Sequence, residues 1–153
     1  IRVPFKIDLD ADKREEQKDV SEKSIKGMHV LLAEDNELNM EIAEFLLQNE
    51  GAEVTKAWNG QEIVELFRKS ESGEFDVILM DIMMPIINGY EAAKRIRSLD
   101  REDAKKIPII AMTANAFTED RIRAKEAGMD EHVAKPIDVE LLIKVIHKLV
   151  KHN

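Results

Sequence analysis

The sequence predicts a doubly wound α/β domain built on a parallel five-stranded sheet. Short apolar segments alternate with amphipathic segments five times between residues 28 and 150. Near-continuous apolar strands are typical of a parallel sheet covered by helices on both faces, and right-handed crossovers place those helices. The five strand segments are MHVLLAED, AEVTKA, FDVILMD, IPIIAMT and EHVAKP.

The helices that follow the strands carry recognisable start and stop signals. Asn59 and Asn88 are predicted caps, because each is followed three residues later by a glutamate, Glu62 or Glu91. Glycines at the ends of the first and fourth helical segments predict helix termination. We expect the first helix to bury Ile42, Phe45 and Leu46, the fourth to be weakly anchored by Ile122 and Ala127, and the last to bury Leu141, Leu142, Val145, Ile146 and Leu149.

The first 26 residues differ in character from the rest of the chain. IRVPFKID alternates apolar and polar residues like an edge strand, and the charged stretch LDADKREEQKDVSEKSIKG reads as a flexible linker. We therefore predict an N-terminal extension over residues 1–26 and a folded domain over residues 27–153. The extension is interpreted either as a disordered tail or as the last strand of a preceding domain with its tether.

Composition excludes several classes of protein. The formal net charge of −8 argues against a dedicated nucleic-acid binder, which would normally present a basic face. The chain has no cysteine, which excludes disulfides and thiol chemistry and is consistent with a reducing cytoplasm. No apolar run is long enough to cross a bilayer.

Polar side chains follow four of the five strands, at the edge of an α/β sheet where sites normally form. Carboxylates suit Mg²⁺, which would relieve their mutual repulsion, while a lysine and a threonine hydroxyl suit phosphoryl oxygens. The central aspartate, within VILMDIMMP, is predicted to be either a metal ligand only or also a nucleophile that forms an acyl phosphate. The residues are Glu34, Asp35, Asp81, Thr113 and Lys135.

These motifs resemble the receiver domain of two-component response regulators from about residue 28 to residue 150. The marks are the acidic pair in LLAEDN, the aspartate in MDIMMPIING, the Thr-Ala of MTANAF and the Lys-Pro of HVAKP. The resemblance implies a (βα)5 flavodoxin-like receiver fold with strand order 2-1-3-4-5. It further implies a phosphoacceptor domain that changes conformation when it is phosphorylated.

The resemblance also implies roles for the acidic residues. Asp81 would accept a phosphoryl group from a phosphohistidine. Asp35 and Asp81 would bind Mg²⁺, or Mn²⁺, together with the backbone carbonyl of Met83. Glu34 would act on the metal through water.

Further positions match the family with one clear departure. Lys135 would pair with the phosphoryl group, Pro136 resembles the family's cis-proline, and Thr113 resembles the switch hydroxyl. Ala114 is small, which leaves room for the phosphoryl donor. The switch position that usually holds Tyr or Phe is His132 here, and we expect a partly buried, hydrogen-bonded ring rather than a metal ligand.

The motifs resemble most closely the receivers of hybrid sensor histidine kinases, and IRVPFKID resembles the last strand of a kinase ATP-binding domain. The resemblance implies as partner a kinase dimerisation and phosphotransfer domain or a histidine-phosphotransfer protein. A homodimer through the last helices is a further expectation, without contacts to nucleic acid or membrane. The expected location is cytoplasmic, with the parent sensor kinase anchored in a membrane. The chain alone would be no enzyme beyond assisting its own phosphorylation and dephosphorylation.

Other functions remain open at this point. One is a stand-alone single-domain response regulator, and another is a folded receiver that is not phosphorylated. A haloacid-dehalogenase-like phosphatase would want a second acid at the position of Met83. A flavodoxin-like cofactor binder would want a Ser/Thr/Gly-rich loop where AEDNELN stands, and that acidic loop would repel phosphate.

Overall fold

A computed structural model describes residues 25–114 and 118–151 of the chain. Five parallel strands form one sheet in the order β2-β1-β3-β4-β5, so the predicted strand order is confirmed. The strands are β1 His29–Ala33, β2 Glu53–Ala57, β3 Val77–Asp81, β4 Ile109–Thr113 and β5 Glu131–Ala134. The helices are α1 Glu37–Asn49, α2 Gly60–Lys69, α3 Gly89–Arg97, α4 Glu102–Lys106, α5 Thr118–Glu126 and α6 Val139–Lys151.

The three central strands are buried on both faces, which explains their continuous apolar sequences. Successive side chains of a strand point to opposite faces, so Leu31 of β1 joins the core beneath α2 to α5 while Leu32 joins the core beneath α1 and α6. Ile78 and Leu79 of β3 divide between the two cores in the same way. Helices therefore cover both faces, as the sequence predicts, and the carboxyl edge of the sheet is left for a site.

The predicted helix caps are confirmed in detail. The Asn59 side-chain oxygen accepts a hydrogen bond of 2.7 Å from the amide of Glu62, and the Glu62 carboxylate accepts one of 2.7 Å from the amide of Trp58. The Asn88 side-chain oxygen accepts a bond of 2.9 Å from the amide of Glu91. These side chains satisfy amide groups that the first turn of a helix leaves without partners.

The buried face of α1 differs from the expected one. Met40, Ala43 and Leu47 face the sheet, whereas Ile42 and Phe45 are 46% and 67% exposed and Leu46 is half-buried. The helix is apolar on more than one side, so its periodicity does not select the face that meets the sheet. Leu38 is also exposed, and it forms an outward-facing apolar patch with Ile42 and Phe45. We call these three residues the α1 patch.

Smaller corrections concern α4, α5 and α6. Leu142 and Ile146 of α6 are fully buried, but Leu141 is exposed. In α5 the expected anchor Ile122 is exposed and Ala124 is buried, while the other expected anchor, Ala127, is buried directly after the helix. The short helix α4 lies where the sequence analysis predicts no element, because five residues are too few to display an amphipathic period.

The described part of the chain is already packed at its first residue. Ile25 is fully buried, and the amide of Gly27 donates a 2.8 Å hydrogen bond to the carbonyl of Gly51. Gly51 has a φ of 93° and lies so close to Lys26 that a Cβ there would come within 2.9 Å of its side chain. The predicted linker runs to Gly27, so its last residues, from Ile25 onward, are packed against the domain instead of forming a free linker. The predicted strand and the earlier part of the linker lie outside the described residues. Among the described helices, none combines the length and apolarity needed to span a membrane.

Candidate functional site

Three carboxylates meet at the carboxyl edge of the sheet. Glu34 follows β1 and is 2% exposed, Asp81 ends β3 and is 4% exposed, and Asp35 is open to solvent. One oxygen from each of the three lies within 4.8 Å of the other two. This all-oxygen, partly open donor set fits Mg²⁺, which prefers few carboxylates and retains several waters. The cluster predicted from the strand ends is therefore formed.

Lys135 approaches this cluster from the end of β5. Its Nζ atom lies 2.9 Å from Glu34 Oε1 and 3.0 Å from Asp81 Oδ2. One ammonium thus faces two buried carboxylates, and the exposed Asp35 adds a third negative charge nearby. The site carries an excess of negative charge that a divalent cation would neutralise.

The protonation behaviour of the site follows from this charge balance. The pKa of Asp81 is raised to about 6, mainly because the carboxylate is buried; the hydrogen bond with Lys135 acts in the opposite direction, and the nearby Glu34 charge adds to the rise. Burial alone would lower the pKa of Lys135, but its hydrogen bonds with Glu34 and Asp81 outweigh burial and raise it. Lys135 therefore stays charged at neutral pH, and the costly group to ionise is Asp81.

The loop between β3 and α3 contacts Asp81. The amide of Met83 donates a long hydrogen bond of 3.4 Å to Asp81 Oδ1, while the Met83 side chain is 78% exposed. Gly89 starts α3 directly against the strand end, since a Cβ there would lie 2.5 Å from the carbonyl oxygen of Asp81. Ile86 adopts a φ of 72°, a conformation that β-branched residues rarely enter.

The remaining predicted positions lie on two neighbouring strands. Thr113 ends β4, is buried, and accepts a 2.9 Å hydrogen bond through its carbonyl from the amide of Lys135. Ala114 follows it and is exposed, and the Lys135–Pro136 peptide bond is cis. His132 is not at this edge: its mostly buried ring accepts a hydrogen bond from Arg121 of α5.

Two features of the site were missed by the sequence analysis. The first is the direct pairing of Lys135 with Glu34, for which a sequence offers no distance. The second is the α1 patch, which borders an apolar cavity beside the acidic cluster; the signal was the surplus of apolar residues around α1. Residues lining the cavity are Glu34, Asn39, Ile42, Ala43, Met112, Lys135, Pro136 and Ile137.

Comparison with known proteins agrees with this geometry. The family model for the response regulator receiver domain matches residues 30–147. The chain is 40% identical over 120 residues to hybrid signal transduction histidine kinase I of Dictyostelium discoideum, covering 77% of this chain and 7% of that protein.

Solved structures give the same answer. The receiver domain of a sensor histidine kinase from Pseudomonas aeruginosa, solved with a magnesium ion in its active-site cleft, is 34% identical with a TM-score of 0.73, covering 82% of this chain and 98% of that one. A Saccharomyces cerevisiae receiver domain, solved with a histidine phosphotransfer protein, is 29% identical with a TM-score of 0.72, covering 82% and 90%.

The match is one of domain rather than of whole proteins, because the chain spans only a small fraction of the length of its kinase relatives. Within that domain, the strand order is that of the matched receiver structures. This chain belongs to the response regulator receiver domain family.

Proposed function

We propose that this chain is the phosphoacceptor of a two-component phosphorelay, and that Asp81 receives the phosphoryl group from a phosphohistidine. The observation that carries the proposal is the placement of Asp81. Its carboxylate is almost fully buried at the sheet edge, within reach of an ammonium group and two further carboxylates. A buried carboxylate whose negative charge is only partly balanced by nearby cations is typical of a functional site rather than of a structural ion pair.

Phosphoryl transfer needs an ionised carboxylate and groups that balance the charge on the phosphoryl oxygens. An Asp81 oxygen attacks phosphorus, the bond from phosphorus to the histidine nitrogen breaks, and that nitrogen keeps the electron pair. No general base is required, because the nucleophile is already deprotonated. Lys135 is positioned to transfer one of its hydrogen bonds from Asp81 to a phosphoryl oxygen, and Thr113 would supply a hydroxyl donor to another.

The residues that would hold Mg²⁺, or Mn²⁺, are Asp35 and Asp81 through carboxylates, Met83 through its carbonyl and Glu34 through water. The bound ion would neutralise charge on the phosphoryl oxygens. Because Asp35 is exposed while Glu34 is buried and paired with Lys135, Asp35 is free to contribute directly. The same pairing favours an indirect role for Glu34.

We further propose that phosphorylation shifts the domain between two arrangements that exist beforehand. Thr113 would move toward the phosphoryl group, and Ala114, which is small and exposed, would leave space for the donor. Pro136 would fix the chain after Lys135. His132 stands at the position of the switch aromatic, where its ring contacts α5.

The partner would be a protein that carries a phosphohistidine, and the α1 patch would be its docking surface. Three exposed apolar side chains within two turns of one helix are unusual on a free surface. The patch also borders the acidic cluster through the cavity at Ile42. A histidine phosphotransfer protein is the partner in the yeast complex with a similar receiver, and we extend that kind of partner to this chain.

We propose that the whole protein is a hybrid sensor histidine kinase anchored in a membrane, and that the receiver domain described by this chain lies in the cytoplasm. Residues 1–26 would form the extension and tether, and residues 27–153 the receiver domain. The hybrid kinase relatives support this setting. A homodimer through the last helices, and the absence of any activity beyond self-phosphorylation and dephosphorylation, complete the proposal.

Incubation with acetyl phosphate and Mg²⁺ tests the acceptor assignment without any partner. We expect intact-mass spectrometry to show one added phosphoryl group that hydroxylamine removes, as an acyl phosphate requires. Asp81→Asn should abolish the labelling, while Asp100→Asn, at an exposed aspartate distant from the acidic edge, should leave it unchanged. Equal labelling of Asp81→Asn and the parent chain would show that the acceptor is another residue.

The docking surface predicts a separate effect on the protein donor. Phe45→Ser is expected to slow phosphoryl transfer from a phosphorylated histidine-phosphotransfer protein by about tenfold, because an exposed aromatic anchor contributes strongly to docking. Labelling by acetyl phosphate should be unaffected. Leu141→Ser, at an exposed apolar residue of α6, is the matched control. Equal slowing with both phosphoryl donors would place the defect in the acceptor site and contradict a docking role.

A further inference from the structure

His132 makes a hydrogen bond that restricts its protonation state. The Arg121 Nε–H group donates to His132 Nε2 over 3.1 Å. Because a guanidinium is only a donor, His132 Nε2 must carry a lone pair. The neutral ring must therefore hold its proton on Nδ1, which faces the Glu131 carboxylate at 3.8 Å.

The surroundings of the ring contain charges of both signs. The ring lines an open cavity of about 390 Å³ between α5, β5 and α6. Glu131 is also paired with Lys148 of α6 at 3.3 Å, and Asp130 is paired with Arg97 of α3 at 2.9 Å. The charged groups facing the cavity are Arg121 and Lys125 from α5, Asp130 and Glu131 before and on β5, and Lys148 from α6.

Helix α5 depends on few contacts, so this hydrogen bond matters to its position. Among its described side chains, from residue 121 onward, the small Ala124 is buried and Ile122 is exposed; Ala127 is buried just after the helix. On the α3 side, the Arg123 guanidinium lies 4.4 Å above the Tyr90 ring. On the β5 side, the corresponding attachment is the bond from Arg121 to His132.

We propose that Arg121 and His132 form a proton-sensitive latch between α5 and β5. With a neutral ring the latch is closed. A proton on His132 Nε2 occupies the lone pair that accepts the hydrogen bond from Arg121, and it places two cations in contact. Any condition that protonates this nitrogen therefore opens the latch, and histidine is the side chain type that exchanges protons most readily near neutral pH.

The latch acts on the same part of the domain as phosphorylation but does not require it. Helix α5 begins a few residues after Thr113, the residue proposed to respond to the phosphoryl group. The inference therefore goes beyond the proposed function, and it stands even if Asp81 is never phosphorylated.

The tautomer provides the first test. Long-range ¹H–¹⁵N correlation spectra of the unphosphorylated protein at pH 7.5 should show His132 with its proton on Nδ1. Neutral histidines without such a constraint favour a proton on the other nitrogen. A spectrum with His132 protonated on Nε2 at pH 7.5 would overturn the latch.

Hydrogen exchange provides the second test. We expect amide protection in α5, normalised to intrinsic exchange rates, to be about fivefold lower at pH 5.5 than at pH 7.5. In His132→Gln the pH dependence should vanish with α5 protected at both pH values, because glutamine accepts a hydrogen bond without titrating. Asp81 titrates in both proteins, so its contribution cancels from the comparison.

Two variants complete the design. Arg121→Met should lower α5 protection at both pH values, because the latch is then absent whatever the charge of His132. His29→Gln, at a histidine that contacts Glu53 at the opposite edge of the sheet, should retain the parent pH dependence. A pH dependence that survives in His132→Gln, or that disappears in His29→Gln, would overturn the proposal.

Discussion

Replacing Lys135 with methionine is expected to lower the free energy of unfolding by about 2 kcal/mol at pH 8. The substitution keeps most of the apolar stem but leaves Glu34 and Asp81 buried beside each other without their shared cation. Breaking a buried ion pair from one side typically costs more than this. The lysine side chain is 21% exposed, however, and water reduces the effect.

The loss should depend on pH with a definite sign. Without the ammonium, the already raised pKa of Asp81 rises further, so its carboxyl group holds a proton more tightly in the folded state than in the unfolded state. Stability then rises as pH falls, so the difference between Lys135→Met and the parent chain should be smaller at pH 5 than at pH 8. Chemical denaturation at the two pH values, with EDTA present, measures both effects.

Lys144→Met, at an exposed lysine of α6, is the matched control and should change the free energy of unfolding by less than about 0.5 kcal/mol. Adding Glu34→Gln to Lys135→Met should restore part of the loss, since one of the two unpaired carboxylates is removed. If Lys135→Met were as stable as the control at pH 8, the pairing of Lys135 with the two acids would contribute nothing to the fold.

Asp81→Asn is expected to stabilise the metal-free protein above pH 6 by as much as about 3 kcal/mol. The pKa of Asp81 is about 6 in the folded protein against an ordinary value of 3.8. A shift of one unit corresponds to about 1.4 kcal/mol. Because the folded-state pKa is raised, ionised Asp81 opposes folding, and asparagine removes that cost.

The sign of the pH dependence separates this effect from a simple change in packing. The cost is small at pH 4, near the ordinary pKa of 3.8, and vanishes only at lower pH, where Asp81 is protonated in both the folded and the unfolded state. It grows as pH rises through the folded-state pKa of about 6 and levels off above that value. Denaturation of both proteins from pH 4 to pH 8 should show curves that lie close together at the acidic end and diverge with rising pH.

Magnesium should reduce the difference in free energy of unfolding between Asp81→Asn and the parent chain. An ion that binds only the folded parent chain adds about 1.4 kcal/mol at ten times its dissociation constant, and Asp81→Asn removes one of its proposed carboxylate ligands. Thermal unfolding with and without MgCl₂ should therefore shift the parent more than the variant. If Asp81→Asn were less stable than the parent at pH 7.5 without metal, the attraction to Lys135 would outweigh the cost of burial.

The sequence alone supplied most of the architecture because its signals are local. Continuous apolar strands, Asn caps followed by glutamates and terminating glycines all act within a few residues, and the observed elements follow them closely. The polar strand ends could be placed together because parallel strands share one edge for their carboxyl ends. That argument brought Glu34, Asp35, Asp81 and Lys135 to one place, as observed.

Predictions that depended on choosing a face were less successful. For α1, apolar residues lie on more than one side, and periodicity could not say which side meets the sheet. In the folded domain Met40, Ala43 and Leu47 are buried against the sheet, and Ile42 and Phe45 are exposed to solvent. For α5, the expected anchors were Ile122 and Ala127; Ala127, just after the helix, is buried as expected, but Ile122 is exposed and Ala124 is buried in its place.

The sequence by itself determined the order of strands and helices, the identity of the polar residues at the sheet edge and the family resemblance. Tertiary structure decided which charges meet: Lys135 with both Glu34 and Asp81, and Arg121 with the one nitrogen of His132 that can accept. The physical reason is range. Backbone propensity and periodicity act between neighbours in sequence, whereas hydrogen bonds and ion pairs depend on distances of a few ångströms between residues that only the folded chain brings together.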